Sequence, residues 1–166
     1  GTLNIYHNKD YVVMTNSPSY DQQLELVKKF SGLGGDDPLP GTCDAADRFA
    51  RALYYVGRQV QPTTPTQGIA AMFSIIRNAA QPFRTPEPGK PDASQTVWQT
   101  VSDLTNLRYF FESTTRPNIV WVDLKEMDFS DGSGEEKLDL INRLEVENGL
   151  SGNVTKKFKK HHRPHI

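Results

Sequence analysis

An α+β fold is what this sequence predicts, with helices first and an antiparallel meander after them. Two observations carry that reading. Between Tyr20 and Ile76 apolar residues recur three times at helical spacing, each run bounded by Gly, Pro or a capping residue. Between Thr96 and Leu124 the composition turns to alternating, β-branched and aromatic runs broken by polar turns. The 166 residues are the length of one domain, and 36% hydrophobic with 23% charged residues suits a folded core. A net charge of −1 offers no global attraction for nucleic acid or a membrane surface. No apolar run approaches the roughly 20 residues that a membrane helix needs. Neither nucleic acid nor membrane is therefore expected as a partner.

Taken in order, Leu3 and Ile5, then Tyr11 and Val13, alternate around His7-Asn8-Lys9-Asp10, which predicts two short strands and a turn. The opening, GTLNIYHN, has neither the basic nor the long apolar segment of a signal peptide. The run Tyr11–Thr15 stops at Asn16-Ser17-Pro18, so a polar amide stands where a strand ends. On the residues alone Asn16 reads as an Asx-turn residue or as part of a site, since sites are commonly built at strand ends and loops held by a rigid scaffold. Ser19 or Asp21 caps a helix from about Tyr20 to Phe30, with Leu24 and Val27 inward. Gly32 to Gly41 holds four Gly and two Pro and is a loop crossing.

Asp44 caps the next helix, with Asp47 at the capping-box distance. Ala46, Phe49, Ala50, Leu53, Tyr54 and Val56 give that helix its core face. Arg48 and Arg51, three apart, are neighbours on its surface. The residues alone make each a solvated or salt-bridged side chain beside Asp44 or Asp47. Cys43 is the single cysteine, so no internal disulfide can form, and compartment cannot be read from it.

Val60–Thr66 is another breaker segment. Thr66 caps a third helix over Gly68–Ile76, with Ile69, Met72, Phe73 and Ile76 as core filling. Gln81 to Gln95, with four Pro and one Gly, is a lid or rim loop. Thr96–Asp103, Arg108–Ser113 and Asn118–Leu124 read as three antiparallel strands, with a turn at Thr114-Thr115-Arg116-Pro117. Val97, Val101, Phe110, Ile119, Val120 and Trp121 supply more apolar strand surface than two amphipathic helices cover, which predicts exposed patches and association. After a turn at Asp131–Gly134, Glu135–Glu147 reads as a short helix with Leu138, Ile141 and Leu144 inward. The basic end, about 155–166, reads as a solvated tail. Its His161, His162 and His165 have no Cys or carboxylate close by to complete a zinc set. No metal and no cofactor are expected.

One ordered series of motifs goes further than these patterns. Thr15-Asn16-Ser17-Pro18 is followed by Tyr20-Asp21, Leu39-Pro40-Gly41, Asp47-Arg48-Phe49 and Arg51, and then by the runs Tyr109–Ser113 and Asn118–Leu124. In order and spacing this series resembles the choloylglycine hydrolase family, the penicillin V acylases and conjugated bile salt hydrolases, over about residues 2–130. The resemblance implies the second half of a four-layer αββα N-terminal-nucleophile sandwich, antiparallel sheets with helices outside. Residues 1–166 would be the C-terminal part of a single such domain. It also implies an amidase that cleaves an acyl group from a small polar amine. The family's substrates are penicillin V, bile acids conjugated to glycine or taurine and, in some members, N-acyl homoserine lactones.

The family's nucleophile is a Cys at the first position of the mature chain, with its own α-amine, of pKa about 8, as base. The motif at Thr15–Pro18 comes well after that Cys. This sequence starts Gly1-Thr2 and its Cys43 is internal. The resemblance therefore implies that a missing first half supplies the nucleophile, and that this half is a partner beside the amide substrate. Two catalytic residues carry over by position. Asn16 matches the amide that helps hold the oxyanion, and Arg48 matches the Arg beside the nucleophile. A guanidinium cannot act as a base, so the role of Arg48 must be electrostatic or structural. Only His7 precedes Cys43 and no His follows it within the core-forming region, so a Cys–His pair is not expected. Pocket-lining residues of the family lie in first-half loops, which leaves the choice of substrate open. Some members assemble through an extension of the crossing that is short here between Phe30 and Leu39, so a tetramer is not assumed and homo-oligomerisation stays open. The compartment stays unknown; the resemblance implies a bacterial protein, cytoplasmic or periplasmic. The alternative of a different class is a non-catalytic fragment or binding module that keeps the fold.

Overall fold

A computed structural model describes residues 11–86, 88–89, 94–116, 118–140 and 150–161. The chain divides into two compact units, Gly1–Gln95 and Thr96–Ile166. Among the described residues no helix is long and apolar enough to cross a membrane.

The first unit is helical. Tyr11–Thr15 runs extended, its residues alternating between exposed and half-buried, with no ladder assigned to it among the described residues. The preceding strand predicted at Leu3–Ile5 lies outside them. Helix α1 spans Tyr20–Val27. It opens at Ser19, whose backbone N–H and hydroxyl both donate to Gln22 Oε1, at 3.2 and 3.0 Å. It ends three residues before the predicted Phe30, because Phe30 N–H turns back to the Val27 carbonyl at 3.0 Å and the chain enters a tight loop. There Leu33 N–H and Gly35 N–H share the Phe30 carbonyl, and Asp37 N–H reaches Lys29 O at 3.0 Å. Gly35 packs so closely on the Lys29 backbone that a Cβ has no room. The glycines predicted to break structure instead permit a compact, hydrogen-bonded fold-back.

Helix α2 spans Ala45–Gly57 from an N-cap at Asp44, as the sequence predicts. Phe49 and Ala50 are fully buried and cluster with Val27 and Phe30, flanked by Val13, Tyr20, Leu24 and Leu53. Tyr20 meets the Phe49 ring edge-on at 5.6 Å between centroids. Helix α3 spans Pro65–Asn78. Its cap lies two residues before the predicted one at Thr66. Thr64 is the N-cap, its hydroxyl accepting from Gln67 N–H at 3.2 Å, and Pro65 takes the first turn, where no N–H is needed. Phe73 and Ile75 are its buried residues.

The second unit is a sheet. Strands β1 (Trp98–Asp103), β2 (Arg108–Ser113) and β3 (Ile119–Asp123) form the predicted antiparallel meander. Val101, Phe110 and Trp121 align across one face, with the Phe110 and Trp121 rings 5.5 Å apart. Val120 and Val122 cluster with Val154 on the other. Val101, Phe110 and Val120 are buried, so only part of the apolar surface expected to be free is free; Val97 and Trp98 are more than half exposed. At the β1–β2 turn Asp103 accepts from Thr105 N–H and Asn106 N–H and from the Asn106 side chain. These bonds, the Asn106 side chain first, hold its carboxyl below the ordinary value.

Two elements correct the sequence reading. Strand β4 (Glu135–Lys137) stands where a helix from Glu135 is predicted; its further extent, 141–147, lies outside the described residues. Strand β6 (Lys159–His161) pairs antiparallel with it, so the basic end is folded as far as 161 rather than loose. Lys160 bridges to Glu136 at 3.3 Å and to the Ser133 carbonyl at 2.6 Å. His162 and His165 lie outside the described residues. Strand β5 (Gly152–Asn153) adds to β3 in parallel, which makes the main sheet mixed at one edge.

Thr155 fastens that edge. Its buried hydroxyl accepts from Asp123 N–H at 2.8 Å and donates to Asn153 Oδ1 at 2.6 Å. Thr155→Val keeps the shape but strands the Asp123 N–H, while Asn153 Oδ1 keeps only the Thr155 backbone N–H at 3.0 Å. It is expected to destabilise the protein by about 1–3 kcal/mol, read as a lower urea midpoint with an unchanged slope.

Candidate functional site

Asn16 sits at the bend between the extended run and α1, and the residues around it are tied down on both sides. The Thr15 hydroxyl lies 2.7 Å from Gln23 Oε1 and 2.9 Å from the Ala45 carbonyl, at the start of α2. Gln23 Nε2 donates to the Pro18 carbonyl at 2.6 Å. Gln23 is 2% exposed. A polar side chain so buried is retained where its amide is satisfied, and here the amide joins both ends of the Asn16 bend to α1. The sequence reading passed over Gln23, since a Gln ordinarily faces water, although its place three after Tyr20 and four before Val27 puts it on the inward face.

Arg48, on the first turn of α2, donates from Nη2 to Asn16 Oδ1 at 3.0 Å and from Nε to the Cys43 carbonyl at 3.1 Å. The two residues singled out from the sequence, 32 positions apart, therefore touch. The chemistry of the pair fixes the amide's orientation. A guanidinium has donors and no acceptor, so the Asn16 atom facing it must be the oxygen. Asn16 Nδ2 then points elsewhere, and among the described residues it has no recorded partner. Asn16 is itself exposed, so this N–H₂ group is available to a ligand.

Arg51 is not the solvated residue that the sequence suggests. Its Nε donates to the Asn78 carbonyl at 3.0 Å, and its Nη1 to the carbonyls of Pro40 at 2.9 Å and Thr42 at 2.8 Å. Asn78 is the last residue of α3, where carbonyls lack intrahelical partners and the helix dipole is negative. Neither Arg pairs with Asp44 or Asp47. Asp47 instead takes the Thr42 hydroxyl.

Cys43 is a free, half-buried thiol. Its carbonyl, not its sulfur, is what meets the site. Among the described residues no group of three or more His, Cys, Asp or Glu could hold a metal ion. What this arrangement offers chemically is an aimed amide donor with a cation fixed behind it, suited to a carbonyl oxygen that gains negative charge.

The family model of the linear amide C-N hydrolases, choloylglycine hydrolase family, matches residues 1–141, and the chain belongs to that family. It is 46% identical over 150 residues to penicillin V acylase of Pectobacterium atrosepticum, an alignment covering 82% of this chain and 40% of that protein. The structure of penicillin V acylase from Agrobacterium tumefaciens superposes with a TM-score of 0.79 at 39% identity, over 95% of this chain and 49% of that one. A variant of conjugated bile acid hydrolase from Clostridium perfringens matches in fold, with a TM-score of 0.59 at 19% identity, over 72% of this chain and 43% of that one. The chain thus spans about half the length of these relatives or less.

Proposed function

We propose that this chain is the second half of a linear-amide C–N hydrolase in which Asn16 and Arg48 serve a nucleophilic Cys contributed by a preceding half. The observation that carries the reading is the Arg48–Asn16 hydrogen bond, which turns the Asn16 amide so that Nδ2 is free to donate. Family membership supplies the reaction class. The Cys sulfur attacks the amide carbonyl, and its proton passes through the α-amine to the leaving nitrogen as the C–N bond breaks. Water then cleaves the thioester and restores the thiol. Asn16 Nδ2 donates to the carbonyl oxygen as it becomes an oxyanion, and Arg48 holds that amide and contributes positive charge beside the sulfur. The substrate class is an acyl group joined through an amide to a small polar amine. Penicillin V is the first member to try, since two of the similar proteins carry it in their names.

The test compares two preparations against penicillin V and a glycine-conjugated bile acid. The longer protein carrying an upstream N-terminal Cys is expected to turn over at least one of them, and residues 1–166 by themselves neither. Turnover by 1–166 that survives replacement of Cys43 would defeat the division of labour proposed here. No turnover by the longer protein on any linear amide would leave a binding module that keeps the fold.

A further inference from the structure

The loop Pro40–Cys43 is held by its backbone rather than by packing. Three of its four carbonyls face α2, and two arginines of that helix, one turn apart, take all three. Arg51 accounts for two of them through Nη1 and, through Nε, for the end of α3. Arg48 accounts for the third, at Cys43, and uses its other arm on Asn16. The two guanidiniums are therefore linked through the loop. Arg51 sets where the Pro40 and Thr42 carbonyls lie. Their position sets the Cys43 carbonyl, and the Cys43 carbonyl fixes the plane of the Arg48 guanidinium.

We infer that Arg51 is a positioning residue of the amidase site, acting through the Pro40–Cys43 loop and Arg48 on the orientation of the Asn16 amide. This rests on the hydrolase reading above and adds a residue that does not touch the reacting atoms. The residue type matters. The three carbonyls are met from two nitrogens set apart in one planar fork, Nε and Nη1, whereas an ammonium offers all its donors from a single nitrogen on a flexible stem. Without that hold the Cys43 carbonyl is free to turn toward water. Arg48 then keeps one anchor in place of two, and the Asn16 donor loses its aim. A displacement of about 1 Å in a catalytic group can cost about a hundredfold in rate.

The experiment uses the full-length enzyme, with Arg51→Lys placed in the wild type and in Arg48→Ala. In the wild type kcat is expected to fall about tenfold or more while KM stays within about threefold, since an oxyanion donor acts mainly in the transition state. In Arg48→Ala the same change is expected to cost less than about twofold, because the link it acts through is already gone. An unchanged kcat in the wild type overturns the inference. So does an equal loss in both backgrounds, which is what a general weakening of the fold would give. Where Arg51→Lys does not fold, Arg51→Gln, which keeps an N–H₂ donor but not the fork, takes its place, and the same pattern in the two backgrounds is required of it. Solvent exchange of the Arg48 Nε–H, followed by NMR in the same protein, is expected to speed up in Arg51→Lys. That readout does not need turnover. A wild type without activity therefore defeats the hydrolase reading, and an Arg48 Nε–H that exchanges no faster defeats the role of Arg51.

Discussion

Asn16→Ala in the full-length enzyme is expected to lower kcat about a hundredfold or more and to leave KM within about threefold. On the proposed reading the reason lies in when the amide acts. An oxyanion donor meets little charge in the ground state and full charge in the tetrahedral intermediate, and one such donor is worth about 3 kcal/mol of barrier. The geometry around Asn16 is compatible with that role. Arg48 can meet only the oxygen of the amide, so Nδ2 is turned away from the guanidinium before any substrate arrives and little reorganisation is left for the reaction step. The bend that carries Asn16 is fixed at Thr15 and at Pro18 through the buried Gln23. Asn16→Asp sharpens the test: a carboxylate still fits the Arg48 guanidinium but has no N–H to offer, so it should be as damaging as Ala while keeping the fold. A kcat within about twofold of wild type, under about 0.5 kcal/mol, would return Asn16 to the role of a turn residue. Steady-state kinetics beside circular dichroism decides the matter.

The parts of the fold that were legible in the sequence are those specified locally. The three helices follow from apolar spacing and caps, and the meander from alternating aromatic and β-branched runs between polar turns. What escaped was specified by partners far along the chain. Glu135–Lys137 is built from residues that favour helices, yet it pairs with Lys159–His161, and the opposition of Glu136 to Lys160 cannot be seen in either segment alone. The site shows the same division. Asn16 and Arg48 were found because a motif series marks them. Their contact depends on α2 lying against the bend, and no local signal gives that. Arg51 was read as surface because its three partners are backbone carbonyls, and a carbonyl leaves no trace in a sequence. Gln23 was passed over because satisfied burial is a property of neighbours, here Thr15 and Pro18.

Phe49→Ala is expected to cost about 3–5 kcal/mol, the range for truncating a buried aromatic ring, and to take the site with it. Phe49 is 0% exposed and sits in the cluster of Val27, Phe30 and Ala50, with the Tyr20 ring edge-on against it. It lies in sequence between Arg48 and Arg51, so the ring that anchors α2 in the core also sets the height and rotation at which both guanidiniums leave the helix. Removing it opens a cavity that α1 and α2 can close only by shifting, and any shift of α2 moves Arg48 relative to Asn16. Phe49→Leu fills most of the volume and should cost distinctly less. Hydrogen exchange of the α2 amides in the intact protein, with kcat measured alongside, checks the coupling. Exchange should accelerate and kcat should fall together in Phe49→Ala, and both should recover in large part in Phe49→Leu. A variant that exchanges fast in α2 yet keeps its kcat would show that the site does not depend on how this helix is seated.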